Sequence, residues 1–355
     1  MELLKGVERG LKRAGAAAAG ALLRRTGRHE RASGLLRGAR RVLLVRIDHR
    51  VGEALLLTPL FSALRARRPA VEVHALVHPK IARVLQGHPE LDRLCPFDGG
   101  AVRALRRERF EAVVDCTSWT HPSTQAAIVS RLCAPEGAVV GPAGGGLDPL
   151  RDVAVPARAD TRREVLQRVN LLAPLGGVPQ DLDRISFRAI PAPAGEVARL
   201  CEEARRGGRA VINPGGRLGA RRILPAAFAA AGRALVEAGR RPLVTWGPKE
   251  RALAEEVVAG CPGAELAPPT DLDQLAALMD ACGLTVCNNT GPMHLSVAVG
   301  APTLAFFLRI DVERWGHPFP PHRMVDLTPL AGSEARLAEA AGEHATSFAA
   351  AAGTA

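Results

Sequence analysis

Short apolar runs alternate with amphipathic stretches along most of this chain. Residues 41–47 carry Val and Leu on both faces, the mark of a strand buried on both sides of a parallel sheet. A polar loop over 48–53 follows, and residues 54–68 have a helical period interrupted at Pro59, where either the helix kinks or Thr58-Pro59 forms a cap and first turn. The spacing then predicts strands over 71–77, 91–96, 112–116 and 138–140, and helices over 80–86, 101–107, 124–133 and 161–175. Residues 174–193 hold several prolines and few long apolar runs, and read as a linker. Beyond them the alternation restarts, with strands at 210–212, 241–246 and 264–267 and helices at 225–238, 249–259 and 271–282. The last unit is a strand at 284–286, a polar turn at 287–294, a small-residue helix at 295–300 and a strand at 302–307. Strands alternating with helices imply βαβ units and parallel sheets. The predicted fold class is α/β, with two Rossmann-like doubly wound domains at 41–180 and 190–330. An amphipathic arm (1–40) precedes them, and an Ala-rich, helix-permissive tail (331–355), expected to fray, follows.

Charge changes the picture at one end only. Residues 1–41 hold eleven Lys and Arg against three Glu, which is +8 of the net +11. The remaining 314 residues carry +3, so the body is nearly neutral and a nucleic-acid partner is not expected. Within the arm, Leu4, Val7, Leu11, Ala14, Ala18 and Leu22 recur at spacings of three or four, although Gly6, Gly10, Gly15 and Gly20 weaken a helix. Such an arm fits an anionic membrane surface, each basic residue contributing about 1 kcal/mol, or a basic arm packed on the protein surface. No run approaches the ~18 apolar residues of a spanning helix, and no secretory signal stands out. The expected location is cytoplasmic, with peripheral attachment at the inner membrane. The seven cysteines form no CxxC pair and read as buried thiols of a reducing compartment.

In doubly wound sheets, ligands sit outside the carboxyl ends of strands, so five turns are candidates. Residues 213–222 are rich in glycine (Gly215, Gly216, Gly219) and arginine (Arg217, Arg221, Arg222), which suits close approach to a phosphate and neutralisation of its charge. Glu250, at a strand end after Gly247, suits ribose hydroxyls, although a helix first turn favours glutamate anyway. In the turn 288–294, Thr290 is placed to cap a helix and Pro292 to sit in its first turn, with backbone amides facing an anion. The loop 48–53 offers Glu53 beside Gly52 as a general base. The turn 116–121 is the fifth, and with the Gly-rich loop 144–150 it is an expected wall of the pocket in the first domain. No HxxxH or Cys/His cluster suggests a metal, and no GxGxxG follows the first strand, which argues against a dinucleotide oxidoreductase.

Taken in order, these turns resemble glycosyltransferase family 9, the heptosyltransferases of lipopolysaccharide core synthesis. The resemblance rests on Gly52-Glu53 and Thr58-Pro59 after the first strand, Pro214-Gly215, the segment Arg222-Ile223-Leu224-Pro225, Gly247 with Glu250, and Asn288-Asn289-Thr290-Gly291-Pro292-Met293-His294, with Trp315-Gly316 in a closing loop. It implies a GT-B fold, with the two domains facing across a cleft. It also implies inverting, metal-independent transfer of a heptose-like sugar from an ADP-sugar to a lipid-linked glycan, with no further cofactor. Glu53 would be the base, and Arg222 would stand where the family has lysine. Gly215, Gly216, Glu250, Asn289, Thr290, Gly291 and His294 would bind the donor. Four departures stand out: Glu53 for aspartate, Asn289 for aspartate, Arg222 for lysine, and no tryptophan at Leu224. They point to a different sugar or acceptor, or to a weakened nucleotide-sugar-binding protein on the same fold.

Overall fold

The computed structural model describes residues 28–176 and 182–352. The expected arm over 1–27 lies outside the described residues. The chain divides into two compact units that meet in sequence at Asp183 and Arg184.

Unit 1 is built on α1 (Arg28–Gly38), β1 (Arg41–Arg46), α2 (Val51–Leu55), α3 (Thr58–Arg67), β2 (Glu72–Val77), α4 (Pro79–Leu85) and β3 (Arg93–Pro96). It continues through α5 (Gly99–Arg107), β4 (Ala112–Asp115), α6 (Thr124–Cys133), β5 (Ala138–Pro142), β6 (Val153–Val155) and α7 (Glu164–Asn170). Its sheet runs β3-β2-β1-β4-β5-β6, parallel throughout, so the strand order reverses between β1 and β4. Leu43, Val45, Leu76, Val113 and Val139 line the core against α5 and α6, through Leu105 and Ala126.

Two local outcomes differ from the sequence reading. Of the two alternatives at Pro59, the chain takes the new first turn, with Pro59 in it, but Leu57 rather than Thr58 holds the cap position and the Thr58 hydroxyl donates back to the Leu55 carbonyl (2.8 Å). The arm expected to end at residue 40 is, from Arg28, part of unit 1. Ala32, Leu36 and Ala39 are buried, and the Arg68 guanidinium gathers the carbonyls of Leu36, Arg37, Ala39 and Leu175.

Unit 2 comprises α8 (Gly195–Arg205), β7 (Arg209–Asn213), α9 (Pro225–Glu237), β8 (Arg241–Val244), α10 (Arg251–Ala259), β9 (Glu265–Leu266) and α11 (Leu272–Cys282). Then come β10 (Thr285–Asn288), α12 (Gly291–Ala298), β11 (Thr303–Phe307), α13 (Val312–Trp315), β12 (Arg323–Asp326) and α14 (Glu334–Ala352). Its parallel sheet runs β12-β11-β10-β7-β8-β9, the same order as in unit 1, with the reversal between β7 and β10. The expectation of a frayed tail is overturned for residues 334–352. There α14 buries Leu337, Ala341, Ala345, Phe348 and Ala349 against the core that α9 shares. Small residues permit the close approach: a Cβ on Gly342 would lie 3.9 Å from the Cβ of Ala230. A tail of alanines thus hides its buried face from a reading based on polar contrast.

Candidate active site

The strand-order reversals single out four loops, those after β1, β4, β7 and β10. In unit 2, the loop after β7 is stitched to β10 by Asn288, which is fully buried. Its Nδ2 donates to the carbonyls of Pro214 (2.8 Å) and Gly215 (3.3 Å), and its Oδ1 accepts from the Ile223 amide (3.1 Å). One side chain therefore fixes both ends of the segment 214–223.

Gly216 is the meeting point. Its amide donates to Glu250 Oε1 (2.8 Å), and a Cβ there would come within 3.0 Å of both the Arg222 side chain and the Thr290 methyl. Glu250 Oε2 accepts from the Gly247 amide (3.2 Å). The carboxylate leaves the helix N-terminus it precedes uncapped and instead ties the two glycine turns together. A Cβ on Gly215 would collide with Glu250, and one on Gly247 would lie 2.8 Å from it. These glycines are needed for close approach to a carboxylate of the protein itself. Arg217, Arg221 and Arg222 form no ion pair among the described residues.

The turn after β10 departs from expectation in one respect. Thr290 occupies the cap position of α12, yet its hydroxyl donates to the Asn288 carbonyl (3.3 Å) and makes no capping bond. The amides of Met293 and His294 return to the Thr290 carbonyl, and Pro292 has none. Gly291 is the amide left to face a ligand in that first turn. Asn289 and Thr290 are part-exposed. His294 is buried, and its Nδ1 lies 2.9 Å from Nε2 of His317, also buried.

In unit 1, Glu53 lies at the foot of α2, only 5% exposed. Its Oε2 meets Arg168, which is fully buried, and Arg46 (2.8 Å), while Oε1 meets the exposed Arg50 (3.4 Å). Arg168 also pairs with Glu164 (3.2 Å), and Arg46 with Asp48 (2.5 Å). Three cations and three anions thus form one network. Burial alone would raise the Glu53 pKa, but Arg168, Arg46 and Arg50 outweigh it and hold the carboxyl far below the usual range. The two expected wall loops are also joined. Asp115, at the end of β4, pairs with Arg151 (2.8 Å) in full burial and accepts from the Thr117 hydroxyl (2.8 Å), while Arg151 holds the Pro142 carbonyl. A Cβ on Gly145 would lie 2.8 Å from Pro122, so the loops touch.

Unit 2 therefore brings together Gly215, Gly216, Arg222, Glu250 and Thr290, with Asn289, Gly291 and His294 on the same turn as Thr290. Glu53 belongs to unit 1. The sequence reading did not single out Arg168, the stitching role of Asn288, or His317. Arg168 left a faint sign, a charged pair with Glu164 four residues earlier in an otherwise apolar stretch; His317 left none.

Residues 101–332 match the family model "Glycosyltransferase family 9 (heptosyltransferase)". The chain belongs to glycosyltransferase family 9. It is a glycosyltransferase, and its two parallel sheets are those of a GT-B fold. Solved structures agree on that fold at 18% identity. A family 9 glycosyl transferase from Veillonella parvula has a TM-score of 0.71, over 88% of this chain and 97% of its own. The E. coli heptosyltransferase WaaC with ADP has 0.67, over 88% and 99%. The E. coli ADP-heptose lps heptosyltransferase II has 0.63, over 86% and 98%. No curated protein matches the sequence. Among the described residues no group of three or more His, Cys, Asp or Glu could hold a metal. Nor is any helix there long and apolar enough to cross a membrane.

Proposed function

We propose that this family 9 enzyme transfers a heptose-like sugar, with inversion, from an ADP-sugar to a lipid-linked glycan such as lipopolysaccharide. The observation that carries the reading is the convergence on Gly216, where the arginine loop, Glu250 and the signature turn meet. That convergence lies at the strand-order reversal of unit 2, where a doubly wound sheet binds its ligand. Arg222, the Gly291 amide and His294 supply positive charge and donors for a departing diphosphate, as an anion clamp does. That charge comes from protein groups, which is the support for metal-independent transfer. Glu250, braced by two backbone amides, retains acceptor capacity for ribose hydroxyls. The part-exposed Asn289 and Thr290 face the sugar end. The ADP that accompanies WaaC in its structure supports adenine as the base.

Glu53 takes the proton of the acceptor hydroxyl as that oxygen attacks the anomeric carbon and the carbon–phosphate-oxygen bond breaks on the opposite side. Oε2 is anchored by two buried guanidiniums, and Oε1, with its single long contact to an exposed arginine, is the working oxygen. The cluster keeps Glu53 ionised at neutral pH and weakens it as a base, so Arg50 must loosen as the proton arrives. The basic arm at the N-terminus supports attachment to an anionic membrane surface.

Thermal-shift screening against ADP-, GDP- and UDP-sugars tests the donor. An ADP-sugar at about 100 times its dissociation constant should stabilise the protein by about 2.7 kcal/mol. A shift with none of the three would overturn the reading.

A further inference from the structure

The reaction scheme uses His294 and leaves the residue beside it unexplained. His317 reaches His294 from the segment after α13, 23 residues along the chain. The approach is built. A Cβ on Gly316 would lie 2.6 Å from the Val312 carbonyl oxygen, so only glycine lets the chain turn there. The His317 ring is held edge-to-face by His294, at 5.1 Å and 89°, and by Phe319, at 6.0 Å. Phe319 is itself fixed by the Arg184 guanidinium over its face (4.6 Å) and by His322 at its edge (5.3 Å).

A contact of 2.9 Å between two ring nitrogens requires one proton between them, and only one. Two protonated nitrogens would repel, and two bare ones would leave both lone pairs opposed. The rings can therefore share a proton but cannot both be fully charged. The state of the far nitrogen of His294 is thereby coupled to the direction of this bond. When His317 Nε2–H donates to His294 Nδ1, a neutral His294 must carry its own proton on Nε2. When the pair gains a proton, His294 carries one on each nitrogen and His317 accepts. The opposite neutral arrangement, with His294 Nδ1–H donating to His317, would leave Nε2 bare; a phosphate oxygen at Nε2 selects the arrangement in which His317 donates and Nε2 carries its proton.

We infer that His317 is a positioning residue for donor binding: it fixes the ring and proton arrangement of His294, so that His294 donates to the diphosphate. The inference rests on the donor reading above and adds a residue and a direction to it.

A double-mutant cycle on nucleoside diphosphate binding tests it. Wild type, His294→Ala, His317→Phe and the double variant are titrated calorimetrically with ADP, UDP and GDP, with melting temperatures recorded alongside. For the diphosphate that binds, each single variant should weaken binding about ten- to hundredfold, the effect of losing one hydrogen bond to a charged group. The double variant should be no weaker than His294→Ala alone. His317→Gln, which keeps a donor at that position, should recover most of the affinity. KM for the donor should rise in His317→Phe with little change in kcat. Additive losses, or a failure of Gln to rescue while the fold is intact, would overturn the positioning role. Tight binding in His294→Ala would overturn the role of His294 and this inference with it. If no diphosphate binds to wild type, the donor reading itself fails, and this inference falls with it.

Discussion

Glu53 shows how one side chain can be set by partners far away in sequence. Its carboxylate is balanced by arginines at positions 46, 50 and 168, and the most deeply buried of these is 115 residues away. Glu53→Gln should lower turnover by about 10²- to 10⁴-fold, the range for loss of a positioned base, as measured by steady-state rates. Arg168→Met should cost about 3–5 kcal/mol in denaturant unfolding, because Glu53 and Glu164 would lose the buried cation they share. The pH dependence has a definite sign. The folded-state pKa of Glu53 lies below its ordinary value of 4.5. Its contribution to stability is therefore complete above that value and is lost as pH falls below it. Unfolding free energy measured between neutral pH and pH 3 should fall more steeply in wild type than in Glu53→Gln; equal slopes would contradict the ion network. The sequence pointed to Glu53 because it follows Gly52 at the end of a strand. It gave only the faint sign of Glu164 for Arg168 and none for His317, because Glu53 and His294, the groups they serve, come from other elements.

At the scale of elements, legibility followed contrast between apolar and polar positions. The runs at 41–47 and 284–286 are apolar on both faces, the run at 71–77 is apolar apart from Glu72 and His74 on one face, and each became an interior strand of its parallel sheet. The edge strands β6 and β12 went unread. One has three residues, and the other buries only Val325. Helix α8 begins at a glycine behind a run of prolines, and α14 is masked by alanine. Helix α14 therefore offers a decisive check on its reassignment from tail to core. Phe348→Ala should destabilise unit 2 by about 3–5 kcal/mol in denaturant unfolding, whereas a frayed tail would change by less than about 0.5 kcal/mol.

Across the whole molecule, two sheets with one strand order place four of the five candidate turns at their reversals, and Glu250 reaches the one after β7 from the turn after β8. The basic N-terminal residues leave a nearly neutral body. All seven cysteines are buried, and burial pushes the thiols of Cys116, Cys133 and Cys282 up to about 12. Thiol reagents at pH 8 should therefore react slowly with the folded protein and count seven groups after denaturation. Rapid native labelling would place at least one thiol outside the cores described. In the proposed division of labour, unit 2 holds the donor diphosphate through Arg222 and the signature turn, and Glu53 serves chemistry rather than donor binding. Calorimetric titration of ADP into wild type, Arg222→Ala and Glu53→Gln tests it most directly. Wild type should bind, Arg222→Ala should bind at least about tenfold more weakly, and Glu53→Gln should keep its affinity unchanged. Undiminished binding to Arg222→Ala, or its loss in a folded Glu53→Gln, would contradict it.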